Sequence, residues 1–154
     1  MALTQAEADS LLRMPKEFVD PGPLEFTQTQ PMNYDRLLHS EDRREQFVLT
    51  VKRGRRKRIR LKYQTRARKV IVLARLELNG PAHHNPPESP YRPNQRIDGP
   101  HMHLYRESFE DRIAYELEDI PEFVVHDLRS GVKCLEDFLR FVGVSKWPVI
   151  QLAL

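Results

Sequence analysis

With 154 residues and a formal charge of +3, the chain has the length of one ordinary domain, 1–154, and can bury a core without disulfides or metal. One cysteine and no apolar run near the ~20 residues of a membrane span exclude a disulfide scaffold and a helical membrane protein. The small net charge hides an asymmetry: no Asp or Glu lies between Gln46 and Leu76, whereas Glu107 to Asp137 is rich in them. Such halves imply one anion-binding face, or mutual neutralisation across neighbouring strands.

In chain order, Thr4 to Arg13 is predicted as a helix. Thr4 and Glu7 form a capping box, Leu3 can staple onto Ala8, and Pro15 ends the segment. The opening residues lack the basic start and apolar stretch of a signal peptide, so a cytoplasmic location is expected. Pro21, Pro23 and Pro31 keep the next stretch irregular, apart from a short strand near Glu25 to Gln28.

Alternation predicts strands over Arg43–Lys52 and Arg58–Gln64. The second would place Ile59, Leu61 and Tyr63 on a buried face and Arg58, Arg60, Lys62 and Gln64 on a basic stripe. Val70 to Leu78 reads as a central strand. Residues 79–100 form a long Pro/His-rich loop, of a length that is usually functional or disordered. Strands follow at His101–Arg106 and Arg112–Leu117, then a helix from Ser130 to Val142 with Gly143 as its stop. Cys134 lies in that helix as packing. The order predicts an α+β fold: an antiparallel sheet of about five strands flanked by an N-terminal and a C-terminal helix.

Two features carry chemistry. Arg53, Arg55, Arg58, Arg60, Lys62, Arg66 and Arg75 are candidate phosphate ligands, because nothing within their run offsets the field. Aromatics there are only Phe47 and Tyr63, so phosphate contact is expected rather than base stacking. His101 and His103 share one strand face, with Tyr105 next in line, and His83 can return toward them. Imidazoles suit proton transfer near neutral pH. His83, His101, His103 and Tyr105 are therefore candidate catalytic residues, with Glu107 as an orienting carboxylate. The same histidines could hold a metal, but no carboxylate has ligand spacing, so neither metal nor cofactor is expected.

The segments Lys52-Arg53-Gly54-Arg55, Tyr63-Gln64-Thr65-Arg66-Ala67-Arg68, Leu73 to Pro81, His83-His84-Asn85-Pro86 and Pro100 to Glu107 resemble an uncharacterised bacterial and phage domain family of about this length. That family ends the block with Asp-Lys-Trp-Ala; this chain has Asp111-Arg112-Ile113-Ala114, and a longer loop from Pro87 to Ile97. The resemblance brings no established activity. The paired Pro-His blocks are also similar to small toxins of bacterial toxin–antitoxin pairs, which implies a ribonuclease and a cognate antitoxin partner.

The leading expectation is a small nucleic-acid-directed protein, a metal-independent ribonuclease acting on RNA by histidine acid/base chemistry. The alternative is a non-catalytic factor of a phage or mobile element that binds RNA, DNA or a protein. A metal-dependent hydrolase is the third. No membrane partner is expected.

Overall fold

The computed structural model describes residues 2–154. Its elements are α1 (Gln5–Arg13), β1 (Lys16–Phe18), β2 (Leu24–Thr27), β3 (Met32–Ser40), β4 (Gln46–Arg53), β5 (Leu61–Ala67), β6 (Ile71–Leu78), β7 (His83–His84), β8 (Arg96–Ile97), β9 (His101–Leu104), β10 (Ala114–Glu116), a 3₁₀ turn at Leu117–Asp119, α2 (Gly131–Phe141) and β11 (Ile150–Ala153). Seven strands form one antiparallel sheet in the order β1-β3-β4-β5-β6-β9-β10. β2 and β11 pair in parallel, and β7 pairs with β8, outside it.

The α+β class with a large antiparallel sheet therefore holds, with seven strands in place of five. The added ones are β1 and β3. β3 escapes sequence reading because Arg36 and Ser40 interrupt the apolar side that Met32 and Leu38 define. Arg36 instead reaches the carbonyls of Asp20, Gly22 and Pro23, tying the proline-rich segment to the sheet.

The helices do not flank the sheet on two sides. Leu3, Ala8 and Leu11 from the α1 region and Cys134, Leu135, Phe138 and Leu139 of α2 share one core with Phe47, Leu49, Val51, Tyr63, Leu76 and Met102. Alternation puts these strand residues on one face. The Tyr63 hydroxyl donates to Gly131 O at the start of α2 (2.7 Å), and its ring meets Phe138. Both helices begin as their residues dictate: Thr4 and Glu7 complete a capping box, and Ser130 caps α2.

One predicted strand starts late. Arg53 pairs with Leu61, so residues 54–60 are the connecting turn, and Arg58, Ile59 and Arg60 lie off the sheet. Ile59 is consequently exposed. Gly54 is required there, since a Cβ would sit 2.5 Å from Lys57 O. The expected basic stripe thus divides: Lys62 and Gln64 lie on β5, and Arg58 and Arg60 lie in the turn.

The long loop is ordered. Asn85, fully buried, accepts from Ala114 N (2.9 Å) and donates to Ala114 O (3.1 Å) and Tyr91 O (3.2 Å). It does for the edge of β10 what another strand would do. Tyr91 stacks on Tyr115 at 4.3 Å, and Ile97 is fully buried.

Candidate functional site

The face away from the helices carries two rows that cross the sheet in register. One runs Asn33, Lys52, Lys62, Glu77, His101, Glu116. The other runs Asp35, Thr50, Gln64, Arg75, His103, Ala114. Directly opposed residues on antiparallel strands share a face, with Cβ atoms ~5 Å apart. Strand alternation alone therefore brings the cations of β4 to β6 beside the histidines of β9.

Three imidazoles cluster at one end of these rows. The His83 ring lies 4.6 Å from His103 and 6.5 Å from His101, and His101 and His103 are 5.2 Å apart. Each gives one N–H to a backbone carbonyl: His101 Nδ1 to Gly99 O (2.9 Å), His103 Nδ1 to Asp111 O (2.9 Å) and His83 Nε2 to Arg112 O (2.7 Å). Those bonds set the neutral tautomers and leave the other ring nitrogen as an acceptor. His84 points elsewhere, to Asn94. Burial lowers the His101 pKa. Burial, with the Arg75 guanidinium second, takes His103 down to about 3. Both are thus uncharged imidazoles near neutral pH. Both are buried, with His83 of the 79–100 loop packed against their rings.

Two expected members of the cluster are engaged elsewhere. The Tyr105 hydroxyl donates to Leu3 O (2.9 Å) and accepts from Leu3 N (2.8 Å), tying the start of α1 to the core. β9 ends at Leu104, so Tyr105 follows the chain away from the histidines. Glu107 accepts from Gln5 N (2.8 Å), at the same junction.

The arginines divide likewise. Arg53 is buried and donates to Thr27 O and Arg58 O, and Arg58 donates to Arg55 O and Thr29 O. These are struts that hold the β4–β5 turn. Arg66 contacts Asp35 (3.3 Å) and Lys69 O. Arg75 pairs with Asp111 (2.8 Å) and Glu77 (3.4 Å) on the histidine face. Arg55, Arg56 and Lys57 are exposed on the turn. With Lys52, Arg60 and Lys62 they line a cleft of about 600 Å³ whose walls include Pro31, Asn33 and Gly54 and no carboxylate.

Glu77 is the residue that sequence reading missed. It is 7% exposed, opposes His101 and Lys62, and its Oε2 accepts no hydrogen bond; Arg60 lies 3.7 Å from that oxygen. The signal was present, since Glu77 is the acid that ends the acid-free run, two residues beyond Arg75 on one strand face. Among the described residues, no three His, Cys, Asp or Glu side chains converge as a metal-holding group. Cys134 is buried in the core, and burial pushes its thiol up to about 11, unlike an activated nucleophile. No helix among the described residues is long and apolar enough to cross a membrane.

Residues 3–144 match a family described as a family of unknown function (DUF6978). No curated protein and no solved structure matches the chain.

Proposed function

The chain belongs to DUF6978, a family of unknown function, and from that premise we propose that it binds nucleic acid, holding the sugar–phosphate backbone in the cleft between the β4–β5 turn and the sheet. One observation carries this reading: the cleft is lined by Lys52, Arg53, Arg55, Arg56, Lys57, Arg60 and Lys62 without a carboxylate. Arg53 is held by carbonyls, and the others surround a concave surface that concentrates positive potential. Aromatic side chains are absent from the lining, which favours phosphate contact over base stacking.

Affinity for a single-stranded oligonucleotide, followed by fluorescence anisotropy, should fall steeply with salt, with a log–log slope of about −0.7 per phosphate contact. Arg55→Glu with Arg56→Glu should remove measurable binding and leave thermal stability nearly unchanged, because both side chains are exposed on the turn. Undetectable binding by the unsubstituted protein at low salt would refute the proposal.

Strand cleavage is the second reading, supported by three imidazoles within 6.5 Å of one another beside Arg75. In it, Arg75 steadies phosphate and an uncharged imidazole accepts a proton, while the donor is a group other than His101 or His103. An acidic protein partner of the antitoxin kind would compete for the same cleft. Incubating RNA with EDTA and comparing the protein with its His103→Ala variant separates cleavage from binding alone.

A further inference from the structure

We infer that the site reads the ribose 2′-hydroxyl and so takes RNA in preference to DNA. This rests on the cleft binding a nucleic-acid backbone and adds what lies one strand beyond it.

Lys62 lines the cleft and is the register partner of Glu77, which in turn opposes His101. Moving across the sheet, the chemistry changes within a single strand spacing from cations to hydrogen-bond acceptors. The acceptors are of two kinds. Glu77 Oε2 is buried and accepts no hydrogen bond. The Nε2 atoms of His101 and His103 are lone-pair acceptors, because Nδ1 of each ring is committed as a donor to Gly99 O and Asp111 O. A buried acceptor without a donor is costly, and a ligand that brings a donor relieves that cost.

A backbone held by phosphate offers few donors. Phosphate and ring oxygens only accept, and the bases project away from it. The 2′-hydroxyl is the donor next to every phosphate, and it is what distinguishes RNA from DNA at a given site. Arg60 provides the link between the two halves. Its side chain is 44% exposed and sits 3.7 Å from Glu77 Oε2, so it is the movable cover of that oxygen. When Arg60 turns to a phosphate in the cleft, Glu77 Oε2 is uncovered for the adjacent hydroxyl. Arg75, 3.4 Å from the other carboxylate oxygen, keeps the side chain in place.

The test compares oligouridylate, oligodeoxyuridylate and 2′-O-methyl oligouridylate of equal length at one salt concentration. A hydrogen bond to a charged acceptor should make oligouridylate at least about tenfold tighter than either of the others. Methylation matters most, because it keeps the ribose conformation and removes the donor. Glu77→Gln, close to isosteric, should shrink the preference for oligouridylate over oligodeoxyuridylate and leave the affinity for the latter no weaker. Equal binding of all three would overturn this inference while leaving the cleft assignment intact. Tight binding of the 2′-O-methyl strand would also overturn it. Absence of binding by all three would overturn both.

Discussion

At the scale of single residues, His103 illustrates how position overrides intrinsic chemistry. On the sequence it is an imidazole with an ordinary pKa, suited to proton transfer near pH 7. In the fold it packs against His83 of the 79–100 loop, opposite the Arg75 guanidinium, and its pKa falls to about 3. The unfolded chain, with the ordinary value of about 6.5, binds the proton more readily. Stability is therefore full above about pH 6.5 and declines as the pH falls toward 3. Urea denaturation near pH 7 and near pH 5 should show the native protein losing about 2 kcal/mol more than a His103→Gln variant. An equal loss in both would place the proton uptake at another group. Tyr105 and Glu107 make the complementary point. Residues that follow a motif share its neighbourhood only while the strand continues, and β9 stops at Leu104.

At the scale of elements, two buried polar groups hold together pieces that propensity alone would leave apart. Lys16 Nζ shares its three N–H groups among four carbonyls, those of Leu11, Leu12 and Met14 at the end of α1 and of Val142 at the end of α2, and it lies 4.4 Å from the centre of the Phe47 ring. Burial pulls its pKa down to about 7, whereas the carbonyls at two helix C-termini and the aromatic face favour the charged form. Lys16→Met would leave those carbonyls without a donor, and roughly 3 kcal/mol of stability should be lost in thermal denaturation. Asn85 plays the corresponding part for the loop. Asn85→Ala should cost about 2 kcal/mol, because Ala114 N and O would be left unpaired in a buried setting. Amides of residues 83–97 should then exchange faster, with β4 and β5 unchanged. Uniformly slow exchange across the loop would show that β7–β8 pairing and Ile97 suffice.

At the scale of the whole molecule, the candidate site and the hydrophobic core occupy opposite faces of one sheet. The helices bury the face of Leu49, Tyr63 and Leu76, while the other face carries Lys52, Lys62, Arg75 and the histidines. Much of this was legible in the amino-acid sequence, because it depends on short-range periodicity and capping. The capping box at Thr4, the extent of α2, the cores of β4 and β6, the antiparallel class and the basic run all follow from neighbours a few residues apart. Tertiary structure alone decided what depends on register and on pairing over long separations. It added β1 and β3, put both helices on one face, started β5 only at Leu61, and buried His101 and His103. It also committed Arg53 and Arg58 to backbone carbonyls, which no local pattern announces. Glu77 shows the division most plainly: periodicity places it on a face with Arg75, but only the pairing of β6 with β5 and β9 sets it between Lys62 and His101. Side-chain spacing along a strand is a property of the local backbone, whereas the partner across the ladder is selected by burial of the whole sheet.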